Sequence, residues 1–205
     1  MSVVQRSIVP SESFIDELLA SMPPRYREQF DRAVVCEHAR VVLGRGGLPA
    51  HAGLCCAARG EPALCVVAAD VPGLLSAISA SLMLEGFDIE QADAFTRSTA
   101  RGEAEAISLF QVRRRRREEW APLEIADVTA VRGTLLEVLS GREALRLQAE
   151  AFAGSPPGNG ETHVRFIEHE AELRLTLELE TNDRTGLLLA VSTVLFREGV
   201  QIVGS

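Results

Sequence analysis

This chain carries one pattern twice, and the second copy keeps the spacing of the first across a whole helix. The first copy reads Val67-Ala68-Ala69-Asp70-Val71-Pro72-Gly73-Leu74-Leu75, then a helical stretch, then Glu85-Gly86-Phe87-Asp88-Ile89. The second reads Glu178-Leu179-Glu180-Thr181-Asn182-Asp183-Arg184-Thr185-Gly186-Leu187-Leu188, then a helical stretch, then Glu198-Gly199-Val200-Gln201-Ile202. Aligning the Gly-Leu-Leu triplets superposes Glu85-Gly86 on Glu198-Gly199. Each copy spells strand, acidic glycine turn, helix, Glu-Gly stop, strand, and such internal similarity marks a repeated unit.

The turn itself has definite physics. A glycine at a strand-to-helix junction lets the backbone approach a neighbour or ligand closely. The helix that follows presents unpaired N–H groups at the positive end of its dipole. An acid before the turn can hold an amine, or it can cap those N–H groups. Such a junction suits a small zwitterion, its carboxylate on N–H groups and its ammonium on the acid or on carbonyls. The plainer alternative is that Asp70 and Asp183 only cap helices.

Apolar spacing predicts the remaining elements. A short helix is expected over 11–22, capped by Ser11 or Ser13 and ended by Pro23-Pro24, and a longer one from Tyr26 to Leu43. Strands are expected over 53–58 and 63–69. A helix follows over 74–84, then strands over 87–96 and 104–112. Helices are expected over 125–139 and 143–152, and Ser155 to Gly160 reads as a loop. Strands over 163–168 and 173–180, a helix over 187–197 and a strand starting at Val200 complete the chain.

Composition excludes whole classes of function. The net charge is -8 and the pI about 5.1, so nucleic acid is not expected as a partner. The run Arg113 to Arg117 is followed by Glu118-Glu119 and reads as a solvated connection. All 21 basic residues are arginine, which removes every mechanism that needs a lysine. No apolar run approaches the roughly 18 residues of a membrane span, and no signal-peptide pattern opens the chain, so a cytoplasmic protein without membrane contact is expected. Cys36, Cys55, Cys56 and Cys65 lack metal-site spacing and read as buried thiols. His38 reads as a hydrogen-bonded core histidine, and His51, His163 and His169 have no visible catalytic partners. No cofactor is implied.

These residues reach a family. The plan resembles the ACT domain, a βαββαβ regulatory module. More narrowly it is similar to the C-terminal tandem ACT region of bacterial protein-PII uridylyltransferase/uridylyl-removing enzymes. Met22-Pro23-Pro24-Arg25-Tyr26, Asp70-Val71-Pro72-Gly73-Leu74-Leu75, Phe87-Asp88-Ile89, Ala92-Asp93-Ala94, Thr96-Arg97, Phe110-Gln111-Val112, Val164 to Glu170 and Leu173 to Leu188 carry the resemblance. Thr185 departs from it, standing where the family usually has proline. No Gly-Ser run with paired aspartates and no His-Asp doublet is present, so no catalytic activity is expected.

The resemblance implies an α+β, ferredoxin-like fold with an antiparallel sheet. It divides the chain into a helical segment over 1–50, a first ACT unit over 51–170 and an incomplete second unit, a βαβ half, over 171–205. That half would be completed by further chain or by another chain. The resemblance also implies amino-acid sensing in nitrogen regulation, with glutamine the leading ligand. Asp70, Val71, Pro72, Gly73, Leu74 and Leu75 would form the first candidate site, and Asn182, Asp183, Thr185, Gly186 and Leu187 the second. ACT units commonly bind ligand between two units, so a homodimer through sheets or helices is expected, with a signalling protein as a further partner. The alternatives are a ligand-free interaction module and a regulatory piece of a uridylyltransferase.

Overall fold

The computed structural model describes residues 9–58, 60–114, 123–153, 162–169 and 174–202 of the 205-residue chain. It opens with α1 (Glu12–Ser21), whose N-cap Ser11 accepts the Phe14 N–H at 3.2 Å. Where one helix was expected over 26–43, two form: α2 (Pro24–Gln29) and α3 (Arg32–Arg45). The break follows from Asp31, whose carboxylate accepts the Val34 N–H at 3.0 Å and starts a new helix. Phe30 is left extended and turns into the core, where its ring packs against Tyr26, His38 and Phe95.

The sheet and its helices follow. They are β1 (Ala50–Cys56), β2 (Pro62–Ala69), α4 (Leu74–Leu84), β3 (Phe87–Ser98), β4 (Ala104–Arg114), α5 (Ile125–Leu139) and α6 (Glu143–Ala153). A second group comprises β5 (His163–His169), β6 (Arg174–Glu180) and α7 (Leu187–Arg197). The main sheet is fully antiparallel in the order β1-β2-β4-β3. Its pairing shifts register between Ile89 and Gln91, a bulge in β3.

Helices cover both faces of this sheet. On one face, Ile15, Leu18, Tyr26 and Val35 from α1–α3 pack on Cys65, Val67, Phe95, Ile107 and Leu109. On the other, Leu74, Ile78 and Leu82 of α4 and Val128, Val131 and Leu135 of α5 pack on Leu64, Val66, Ala68 and Phe110. Strand β2 is therefore buried on both sides, which is why it reads as an unbroken apolar run. The fold is α+β and ferredoxin-like, with an added helical layer over the outer face of the sheet.

Two expectations are corrected. A βαββαβ unit running to residue 170 would take the strand over 163–168 as its last, on the sheet edge beside β2. That edge is occupied by β1 instead, through a short hairpin at Gly60, and β5 pairs antiparallel with β6 in a separate two-stranded sheet. A hairpin closes a shorter loop than a return across two helices, which modestly favours the nearer partner. Val200 to Ile202 form no strand. The start of the expected strand at Leu173, the loop over 155–160, Arg115 to Arg117 and Val203 lie outside the described residues. Among the described residues, no helix is long and apolar enough to cross a membrane.

Candidate functional site

The repeat seen in the sequence is a repeat in space, and it is longer than the sequence showed. Each copy is an antiparallel hairpin followed by an eleven-residue helix: β1-β2-α4 and β5-β6-α7. Gly73 and Gly186 open the helices in the left-handed region, at φ 79°, ψ 7° and φ 75°, ψ 15°. Neither helix receives a side-chain cap from its own N-cap residue. Glu85-Gly86 and Glu198-Gly199 close them, with both glycines at positive φ. A non-glycine residue at these four positions would be strained.

Helices α4 and α7 pack antiparallel across a pseudo-two-fold axis. Ser76 and Thr193 share a buried hydrogen bond of 2.9 Å. Their repeat counterparts, Leu189 and Ala80, meet in one buried cluster with Met83 and Ala149 of α6. A Cβ placed on Gly73 would stand 2.8 Å from the Phe196 ring, so the glycine admits this close approach. Each glycine turn thus faces the helix end and Glu-Gly exit of the other repeat, and a cleft forms at each end of the helix pair.

The first cleft brings together all six residues of the first candidate set, Asp70 to Leu75, against Phe196, Val200, Gln201 and Ile202. Its volume is only about 40 Å³, and the Phe196 ring of its lining lies against the Gly73 turn. That admits water but no amino acid. Asp70 does not cap α4; its carboxylate accepts the Thr96 hydroxyl at 3.0 Å.

The second cleft has a volume of about 420 Å³, within the range of small-molecule sites. Asp183, Gly186 and Leu187 of the second candidate set line it; Asn182 does not. Thr185 stands at its rim and donates its hydroxyl to Asp88 at 3.1 Å. The opposite wall consists of Ser79, Met83, Phe87, Asp88, Ile89 and Glu90, with Leu177 and Leu179 from β6. Sequence reasoning missed this wall. The superposition of Glu85-Gly86-Phe87 on Glu198-Gly199-Val200 held the signal, since a two-fold pairing of repeats must place one copy's exit beside the other's turn. The cleft offers an apolar floor and acids at the rim; Ser79, 2% exposed, also lines it, and its buried Oγ has no hydrogen-bond partner among the described residues.

The remaining chemistry-bearing residues serve the core. His38 is fully buried between the Tyr26 hydroxyl at 2.7 Å and the Cys56 carbonyl at 3.0 Å. Burial pushes the Tyr26 phenol up, so it stays protonated and donates to Nδ1. A hydrogen bond with Cys65 and burial push the Cys55 thiol up, and burial beside Glu37 does the same for Cys56. Such thiols are poor nucleophiles. Among the described residues, no cluster of three His, Cys, Asp or Glu side chains could hold a metal ion. Arg113 reaches toward Asp88 and Glu90, and Arg114 pairs with Asp127 and lies over the Phe87 ring, 5.0 Å from its centre.

Among known proteins, the chain is 27% identical over 145 residues to a bifunctional uridylyltransferase/uridylyl-removing enzyme of Cereibacter sphaeroides. The match takes in 69% of this chain but only 15% of that enzyme's length. No family model and no solved structure matches the chain. The likeness is thus a distant one, to a small part of a much longer enzyme.

Proposed function

We propose that this chain is a non-catalytic regulatory module, akin to a regulatory part of a uridylyltransferase, that binds a small amino acid in the second cleft. The observation that carries the reading is the cleft of about 420 Å³ between the two repeats. It sets a glycine turn and a helix N-terminus against acids and an unpartnered buried hydroxyl, the groups a zwitterion with a polar side chain needs. Glutamine is the leading candidate, from the family resemblance; its amide can both donate to and accept from Ser79 Oγ. Because both repeats line the cleft, a ligand there favours one arrangement of the repeats by its differential affinity, which is how binding becomes regulation.

A thermal-shift screen of the twenty amino acids tests this. A ligand at a hundredfold excess over its dissociation constant stabilises by about 2.7 kcal/mol, a readily visible shift. The reading expects a hit that Ser79→Ala weakens and Asp70→Ala leaves in place. A screen without any hit would overturn it.

A second reading, a ligand-free interaction module that dimerises or docks a signalling protein, is favoured by the β5-β6 hairpin. Val164 pairs with Leu179 and Phe166 with Leu177 on one face, and Val164 and Phe166 remain 52% and 63% exposed. Light scattering separates the two: a stable dimer broken by Phe166→Glu, in a chain that binds no amino acid, would favour the interaction module.

A further inference from the structure

The two clefts are related by the pseudo-two-fold axis, but they are not chemically equivalent. At the N-terminus of α7, the Asp88 carboxylate from β3 accepts twice: from the Thr185 hydroxyl at 3.1 Å and from the Gly186 N–H at 3.4 Å. At the N-terminus of α4 the corresponding residues are Gln201, which is neutral, and Pro72, which has no hydroxyl. A negative group at a helix N-terminus is what an incoming carboxylate would itself supply. The same cleft differs from the first at a second, independent position, Ser79 of its lining. Ser79 Oγ has no partner among the described residues, whereas its repeat counterpart Ser192 donates to the Leu188 carbonyl at 2.7 Å.

We propose that Asp88 is a built-in occupant of the carboxylate position in the second cleft, which a free carboxylate ligand must displace to bind. The ligand class is a small carboxylic acid, amino acids included, whose remaining atoms extend toward Ser79 and the apolar floor. The released Asp88 keeps a second partner, since the Arg113 guanidinium lies 4.0 Å from its carboxylate. Binding therefore breaks an inter-repeat contact, Asp88 to the 185–186 turn, and leaves Asp88 its contact with Arg113 of β4 within the main sheet. Asp88 works as a latch between the repeats that the ligand opens. The proposal rests on the reading above only for the identity of the natural ligand.

The test follows the Gly186 amide resonance in the isotope-labelled full chain during titration with acetate, the minimal carboxylate. Asp88→Asn keeps the side-chain shape and Asp88→Ala clears the position. In both, acetate should move the Gly186 resonance at concentrations about tenfold lower than in the wild-type chain, the scale of one charge-assisted hydrogen bond. Thr185→Val, which removes one of the two donors, should fall between and serves if either Asp88 variant fails to fold. Equal midpoints in wild type and variants, or no movement in any variant, would overturn the latch. The twenty amino acids then separate the two readings. If acetate behaves as expected but no amino acid binds, the latch stands and amino-acid sensing falls. If an amino acid binds wild type and Asp88→Ala equally, the latch falls and sensing stands.

Discussion

His51 shows how a single residue ties this fold to pH. It lies on β1, 9% exposed, and its Nδ1 has no partner among the described residues. Burial, and secondarily the charge of Arg132, lower its pKa from the ordinary 6.5. In the unfolded chain the ring takes a proton near pH 6.5; in the folded chain it does so only at lower pH. Stability from this site is therefore complete above pH 6.5 and is lost as the pH falls below it. The melting temperature should drop between pH 7.5 and 5.5, and His51→Leu should flatten that drop; an unchanged slope would contradict the account. His38 is the contrasting case, a histidine with both ring nitrogens partnered. Removing one partner with Tyr26→Phe should cost about 1–3 kcal/mol in urea denaturation, the penalty for a buried acceptor left unpaired.

At the scale of elements, the glycine turns provide a matched pair of tests. Gly86 has φ 82° and open space around its Cβ position, so Gly86→Ala should cost only the backbone strain, about 1–2 kcal/mol. Gly73 has φ 79° and the Phe196 ring 2.8 Å from its Cβ position, so Gly73→Ala should cost more and also loosen α7. Urea denaturation measures both, and equal costs would argue against the α4–α7 contact. A second device joins four elements: Glu105 of β4, 4% exposed, binds Arg97 of β3 at 2.7 Å and Arg45 of α3 at 2.6 Å, while Arg97 also donates to Ser21 of α1. Glu105→Gln leaves two arginines around a neutral amide and should destabilise by about 3–5 kcal/mol in the same assay.

Elements whose signal is local were legible in the sequence. Helices α4, α5 and α7 begin and end at the residues that the Gly, Pro and apolar spacing marks. What depends on distant partners was not legible. The Asp31 break needed the Phe30 pocket, the Glu105 triad needed three other elements, and the edge beside β2 went to the hairpin partner rather than to β5.

For the whole molecule, the central feature is the pairing of two hairpin-helix repeats through α4 and α7, reinforced by α6. Arg197 of α7 binds Glu150 of α6 at 2.8 Å, and Arg146 of α6 lies over Phe196. The candidate turns were readable one repeat at a time. The clefts were not, because each is made by two repeats, and the second is the more open one. The most direct measurement is a map of amide shifts across the labelled chain as the amino acid found by screening is added. Changes should cluster at Ser79, Met83, Phe87 to Ile89 and Asp183 to Leu188, on both walls of the second cleft at once. Changes confined to Asp70 to Leu75, or none in either cleft, would contradict it.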